Sequence, residues 1–107
     1  MAIPWFQIEE VPENVFSSVH LAVMRLENAS PTEHRKVVED LRTAGIGAQL
    51  HYSPVHLQPY YRRIGFADGQ FPQSETYANT ATSLPIFPGM AKADQDQVAS
   101  SLKTILA

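Results

Sequence analysis

The amino-acid sequence predicts a single α/β domain of the α+β type, with a small sheet that carries helices mainly on one face. Two observations lead to this prediction. Apolar segments typical of strands alternate with segments of helical period, in the order strand, helix, strand, helix, strand, helix. A length of 107 residues, of which 44% are hydrophobic and 18% charged, suits one globular domain with a modest core.

Composition excludes several classes of function. The net charge of −3 argues against a nucleic-acid-binding protein, which would carry a basic patch. No apolar run approaches the roughly 20 residues of a membrane span, and no signal peptide opens the chain. We therefore expect no membrane partner and a cytoplasmic location. The absence of cysteine excludes disulfides, thiol catalysis and zinc–thiolate sites.

The N-terminal residues 1–17 show no clear period and are expected to form a connecting segment ahead of a small domain at 18–107. Trp5, Phe6 and Ile8 make this segment too apolar for a free tail. Uncovered apolar patches are typical association sites. We therefore expect the isolated chain to self-associate.

The first strand and helix have the strongest local signals. Residues 19–26 are mostly apolar and predict a buried strand. Ser30 and Glu33 have the spacing of a capping box, Pro31 suits the first helical position, and Gly45 suits a C-cap. The predicted helix carries one apolar stripe, which consists of Val37, Val38, Leu41 and Ala44.

The remaining strands and helices are predicted from the periodicity of apolar residues and from the positions of prolines. Residues 47–52 alternate as in a strand. Pro72 can start a helix that holds residues 74–82, although its threonines are weak helix formers. Residues 83–87 predict a short strand that its prolines confine to an edge or an irregular position, and about 93–106 predict the last helix.

The segment "HYSPVHLQPYYRR", residues 51–63, is rich in polar and aromatic side chains and contains prolines at 54 and 59. It is therefore not expected to be a regular helix. His51 and His56 could ligate a metal. However, no carboxylate lies near them in the sequence, and the prolines suit a turn better than a preformed site. Arg62 and Arg63 could bind a phosphate, but adjacent arginines near a loop are usually solvated.

Other catalytic patterns find little support. Ser53 is a turn residue, since no G-x-S-x-G motif accompanies it, and no phosphate-binding glycine loop is present. His20 and His34 are expected in a strand and on a helix surface, with structural roles. The neighbouring tyrosines at 60 and 61 are expected to pack on the core with their hydroxyls in water.

Four stretches, taken in order over about residues 18–107, resemble the C-terminal end of the DegT/DnrJ/EryC1/StrS family of sugar-nucleotide aminotransferases. They are "HLAVMRL", "GIGAQLHYSPVHLQPYYRRIGF", "FPQSETYANTATSLPIFPGM" and "DQDQVASSL". The pairing of H-[YF]-x-x-x-H-x-Q-x-Y-Y with S-L-P-[IL]-F-P is specific. The sequence is most similar to members that aminate C4 of UDP-linked 4-keto sugars.

The resemblance implies the small domain of a fold-type-I aminotransferase. In such enzymes an N-terminal large domain holds pyridoxal phosphate (PLP) as a Schiff base on a lysine, and two subunits form a homodimer. Glutamate donates the amino group and the nucleotide-linked keto sugar accepts it. None of the three lysines here, Lys36, Lys92 and Lys103, occupies a position where a desolvated amine would be a nucleophile. We expect no cofactor-binding, metal-binding or catalytic residue in this chain and no activity from the chain alone.

Three residues match family positions beside the substrate. His56 matches the histidine that reaches the cofactor–substrate adduct. His51 and Tyr52 match a recurrent pair that either contacts substrate or supports the loop. One departure is Ala91, where the family often has Ser or Thr as a helix N-cap, a loss of about 1 kcal/mol. The alternative to an enzyme fragment is a stand-alone ligand-binding or interaction module derived from such a domain.

Overall fold

The computed structural model describes residues 6–107, which form a four-stranded antiparallel sheet in the order β1-β2-β4-β3. The predicted fold class, a small sheet with helices, is confirmed. None of the described helices is long and apolar enough to cross a membrane. The strands are β1 Phe6–Ile8, β2 Ala22–Leu26, β3 Gln49–Leu50 and β4 Ala81–Leu84, and the helices are α1 Pro31–Thr43, a 3-10 turn Val55–Leu57, α2 Pro59–Arg63, α3 Pro72–Ala78 and α4 Lys92–Ile105.

Helix α1 begins where its capping signals predict. The Ser30 hydroxyl accepts a hydrogen bond from the Glu33 N–H at 3.2 Å, and the Glu33 carboxylate accepts one from the Ser30 N–H at 2.7 Å. The bond from the Ser30 N–H, and after it the hydrogen bond from the Ser30 side chain, lower the pKa of the Glu33 carboxyl. After the helix, Gly45 adopts a left-handed conformation with φ +82°, which a residue with a Cβ rarely adopts.

The core lies between one face of the sheet and helices α1 and α4. Strand register places Met24 opposite Thr82 and Ala22 opposite Leu84, so these side chains share the helix-covered face. Val37, Val38 and Leu41 of the predicted apolar stripe of α1 are buried, whereas Ala44 is exposed at the C-cap. The buried cluster consists of Met24, Leu26, Val37, Leu41, Ile46, Ala48, Leu84, Leu102 and Leu106.

The opposite face of the sheet is only partly covered. Arg25 alternates with Met24 and therefore points to this side, where its guanidinium lies 5.5 Å from the centre of the Tyr77 ring. Tyr77 belongs to α3, and its hydroxyl donates to the Glu9 carboxylate at 3.3 Å. Burial raises the pKa of this phenol. The third helix thus lies across the sheet from α1 and α4.

The sheet contains an additional N-terminal strand, β1, and its strands β2 and β3 are shorter than predicted. Residues 1–17 were expected to be a connector, yet β1 pairs Ile8 with Met24 of β2. Of the three apolar residues singled out there, Trp5 and the Phe6 side chain lie outside what the structure describes. Ile8 is 49% exposed, and self-association stays a prediction. Strand β2 starts three residues later than expected, because Val19 has φ +46°.

The prediction of a helix to Thr82 and a strand at 83–87 was wrong in its boundaries. Helix α3 stops at Ala78, and β4 occupies 81–84 instead. The Leu26 N–H donates to the Thr80 carbonyl, and β4 pairs with β2 on one side and with β3 on the other. Pairing on both edges outweighs a weak helical preference. The predicted strand at 47–52 likewise shrinks to two residues.

His34 was expected on a helix surface and is instead 3% exposed. Its Nε2 lies 2.8 Å from the Thr82 hydroxyl and 3.0 Å from the Ala81 carbonyl oxygen. Because a carbonyl only accepts, this nitrogen carries the proton. Burial lowers the pKa of His34, and the bond to Ala81 opposes that effect. Position 34 precedes the apolar positions 37, 38 and 41 at helical spacing, a signal that could have revealed its burial.

Candidate functional site

Between β3 and α3 the chain leaves the sheet and forms an excursion, residues 51–71. The prediction that 51–63 holds no regular helix was wrong in part, since Pro59 starts the short helix α2. Arg62 fixes this excursion, because its side chain donates to the Leu57 carbonyl at 2.9 Å and to the Asp68 carboxylate at 2.8 and 3.3 Å. The pair lowers the pKa of Asp68 and raises that of Arg62.

A row of rings runs through the excursion. Adjacent centroids lie 5.2 Å apart for Tyr60 and Tyr61, 5.9 Å for Tyr61 and Phe66, 6.2 Å for Phe66 and Phe71, and 4.8 Å for Phe71 and His56. Most of these contacts are edge-on, the arrangement that aromatic quadrupoles favour. The two tyrosines therefore pack on this row rather than in the core cluster.

His56 ends the row and is buried, with 7% of its surface exposed. Its Nε2 has no hydrogen-bond partner among the described residues and lies 3.4 Å from Glu75 Oε2. The Glu75 carboxylate accepts the Gly69 N–H with both oxygens, at 2.9 and 3.0 Å. The sequence showed no carboxylate near the histidines, and the fold corrects this, since α3 returns Glu75 to His56.

Two grooves near these elements differ in chemistry. The first, the His56 groove, has a volume of about 330 Å³ and is lined by Val55, His56, Tyr61, Phe66, Phe71 and Ser74. The second, of about 500 Å³, lies between the end of β4 and helix α4, and none of the described residues that line it is ionisable. Only the His56 groove of these two offers a group that can exchange a proton or a charged hydrogen bond.

His51 and Tyr52 occupy a different position from His56. The His51 Nδ1 lies 2.8 Å from the Ser83 hydroxyl of β4, and its ring stands 4.7 Å from Tyr52 and 6.0 Å from Tyr77. Tyr52 has φ +73°, an uncommon conformation for a residue with a bulky side chain, and is 68% exposed. The structure therefore anchors His51 to the sheet and holds the Tyr52 phenol in solvent.

The arrangement of acidic, histidine and lysine side chains bears on metal and cofactor binding. The described residues contain no group of three or more histidine, aspartate or glutamate side chains that could hold a metal ion. Lys36 and Lys92 are 72% and 85% exposed and form ion pairs with Asp40 and Asp96, and Lys103 is exposed. These three amines do not fit the buried lysine that would carry an aldehyde cofactor.

The comparison with protein families decides where this arrangement belongs. The model of the DegT/DnrJ/EryC1/StrS aminotransferase family matches residues 2–103. The chain belongs to this family. The resemblance in the motifs around His56 and the S-L-P-I-F-P stretch is therefore confirmed at the level of the family.

Two curated relatives show how much of a family member is present. EryC1 of Saccharopolyspora erythraea, an erythromycin biosynthesis sensory transduction protein, is 34% identical over 102 residues, which cover 94% of this chain and 26% of EryC1. SpsC of Bacillus subtilis, a spore coat polysaccharide biosynthesis protein, is 30% identical over 90 residues, which cover 81% of this chain and 23% of SpsC. The chain spans about a quarter of the length of these relatives.

Solved structures agree with the observed fold. Spr1654 of Streptococcus pneumoniae, a proposed sugar aminotransferase solved in PLP, PMP and apo forms, superposes with a TM-score of 0.89 at 27% identity. PseC of Helicobacter pylori, an aminotransferase involved in pseudoaminic acid biosynthesis, gives 0.83 at 25% identity. Each comparison covers 95% of this chain and 26% or 28% of the solved chain.

Proposed function

We propose that this chain is the C-terminal part of a PLP-dependent aminotransferase, with the small domain at residues 18–107 and a connecting segment at 1–17 that adds strand β1 to its sheet. The parent enzyme moves the amino group of glutamate to a nucleotide-linked keto sugar, of the UDP-4-keto type. The observation that carries this proposal is the family match over residues 2–103, together with coverage of about a quarter of each relative. An N-terminal large domain, a second identical subunit and a cytoplasmic setting belong to the same proposal.

In this proposal the large domain binds the cofactor and the small domain contributes to the substrate cleft. PLP supplies the electron sink and carries the amino group when it is bound in the parent enzyme. The three exposed lysines described above do not suit its attachment, so the large domain holds it. The small domain contributes a wall of the substrate cleft, with side chains that bind and orient the sugar nucleotide.

Within that wall, His56 is the residue proposed to contact the substrate. It is a buried histidine that lines the His56 groove, and an imidazole can hydrogen-bond a sugar hydroxyl or a phosphate oxygen. Tyr52 is proposed to offer its exposed phenol to the same ligand. His51 is proposed to act mainly through the loop, since its Nδ1 is already engaged with Ser83.

The test uses the full-length protein that contains these residues. With glutamate and a UDP-4-keto sugar, His56→Ala should lower kcat/KM by roughly ten- to a hundredfold, the loss expected for one hydrogen bond to a charged group. PLP should still bind, which its visible absorbance would show. His51→Ala should have a smaller effect. As a matched control, Tyr60→Ala changes an exposed ring of the same excursion and should leave kcat/KM within about twofold.

A full-length protein without transaminase activity on any nucleotide-linked keto sugar would refute the proposed function. If the gene instead encodes this domain alone, the proposal of a parent enzyme fails and a stand-alone binding module takes its place. Unchanged kcat/KM in His56→Ala would leave the enzyme class standing and remove His56 from the substrate site.

A further inference from the structure

The ring of His56 is buried beside a carboxylate but does not bond to it. Nε2 is fully buried, no hydrogen bond reaches it from residues 6–107, and Glu75 Oε2 lies 3.4 Å away. Hydrogen bonds of the N–H···O type span about 2.7–3.2 Å, so a shift of a few tenths of an ångström would close this gap. A buried unpaired nitrogen costs free energy, which favours that closure.

Glu75 is well held for such a role. Both of its carboxylate oxygens accept the Gly69 N–H, and its side chain is only 18% exposed. The Phe71 ring packs against His56 from another side, with centroids 4.8 Å apart. The carboxylate and the aromatic ring together restrict the orientation of the imidazole.

We propose that Glu75 is a positioning residue that accepts the Nε2–H of His56 and thereby leaves Nδ1 as the nitrogen available to a substrate. An ionised carboxylate is an acceptor only, so the nitrogen that faces it must carry the proton. The neutral ring then presents an acceptor at Nδ1. This inference rests on the proposed function, in which His56 contacts the sugar nucleotide.

Glu75→Gln provides a specific test because the amide has one acceptor and one donor. The Gly69 N–H can only donate, so the amide oxygen of Gln must face Gly69. The amide NH₂ then faces His56, and the imidazole must accept at Nε2 and move its proton to Nδ1. The substitution should therefore switch the tautomer of His56, while the side chain at position 75 keeps nearly the same size.

The tautomer can be measured by long-range ¹H–¹⁵N NMR on this chain at about pH 8, where an ordinary histidine, with a pKa of about 6.5, is neutral. We expect Nε2–H in the wild type and Nδ1–H in Glu75→Gln. His51 serves as an internal reference, since its bond to Ser83 is not altered. Asp40→Asn removes one carboxylate charge from α1, outside the excursion, and should leave the His56 tautomer unchanged.

Two results would overturn the proposal. One is an Nδ1–H tautomer in the wild type, a measurement that does not depend on whether the variant folds. The other is the same His56 tautomer in the wild type and in folded Glu75→Gln. Both concern only the His56–Glu75 contact, so they stand apart from any failure of the proposed enzyme activity.

Kinetics of the full-length enzyme separate positioning from simple support of the loop. Glu75→Gln should lower kcat/KM by roughly three- to tenfold, as expected for one misoriented hydrogen bond. In a His56→Ala background the same substitution should have no further effect. An equal loss in both backgrounds would show that Glu75 only anchors Gly69 and would overturn the positioning role. A full-length protein without activity would refute the proposed function, while the NMR result would still decide the contact.

Discussion

The helix-covered face of the sheet and the excursion at 51–71 use apolar side chains in opposite ways. On the helix-covered face, Met24 and Leu41 are fully buried. In the excursion, Tyr52, Val55 and Tyr60 are 68%, 65% and 58% exposed, and the buried side chain is the polar His56. Apolar residues thus stabilise this domain in the first region and remain available to another surface in the second.

The excursion is therefore held in place by specific polar bonds rather than by a hydrophobic core. Arg62 ties it to Asp68 and Leu57, and Glu75 ties it to α3 through Gly69. Bonds of this kind determine geometry without requiring that every ring be buried. Substitutions in the two regions should therefore have very different effects on stability.

The largest effect is expected in the core. Leu41→Ala leaves a cavity between α1 and the sheet and should lower the free energy of unfolding by about 2–5 kcal/mol. Val55→Ala, at a position 65% exposed, should change it by less than about 0.5 kcal/mol. Urea denaturation of the isolated chain measures both. Similar losses for the two variants would contradict the contrast between the regions.

The next effect concerns His34, which links α1 to β4. His34→Ala leaves the Thr82 hydroxyl and the Ala81 carbonyl without this partner and should cost about 1–3 kcal/mol. The pKa of His34 is lowered in the folded state, so the unfolded state binds the proton more readily. Stability should therefore be fully present above the unfolded pKa of about 6.5 and fall as the pH drops below it.

The pH dependence can be followed by urea midpoints between about pH 8 and pH 5, starting above the unfolded pKa. His34→Ala should flatten the profile over that window. His20→Ala removes an exposed histidine and is the matched control, which should retain the wild-type slope. A wild-type profile that rises toward acid pH would contradict the assignment of His34 as a neutral buried donor.

A smaller effect compares the N-termini of the two long helices. Helix α1 has both halves of a capping box, whereas in α4 the Asp94 carboxylate accepts the Ala91 N–H at 3.0 Å and Ala91 offers no side-chain acceptor in return. Ser30→Ala should lose, and Ala91→Ser should gain, about 1 kcal/mol. Thermal unfolding of both variants tests this, and a destabilised Ala91→Ser would show that its backbone does not suit a serine cap.

The smallest effect is expected for surface ion pairs. Lys36 and Asp40 lie one helical turn apart, with their charged atoms separated by 2.7 Å, but their side chains are 72% and 40% exposed. Lys36→Ala should therefore change the free energy of unfolding by less than about 0.5 kcal/mol. Denaturation at low and high salt gives the measurement. A loss of more than about 1 kcal/mol in the free energy of unfolding would contradict the expectation that this exposed pair contributes little to stability.

The candidate site was predictable in its residues but not in its geometry. His51, Tyr52 and His56 stand out in the sequence because histidines and tyrosines are concentrated in a short segment that contains two prolines. Glu75 does not, since it lies 19 positions beyond His56 in an ordinary helical segment. Its approach to His56 depends on the path of the excursion, which Arg62 and Gly69 hold in place.

The sequence by itself determined the elements whose signals are local. Helix α1 follows from Ser30, Glu33 and an apolar stripe, because capping and helical period act within a few residues. The end of α3, the two-residue length of β3 and the hydrogen-bond partners of His34 depend on the tertiary structure. Each of these depends on backbone pairing with β4 or on contact between α1 and that strand. Such contacts join residues distant in the chain, and the free energy they contribute exceeds the weak local preference of "TYANTAT".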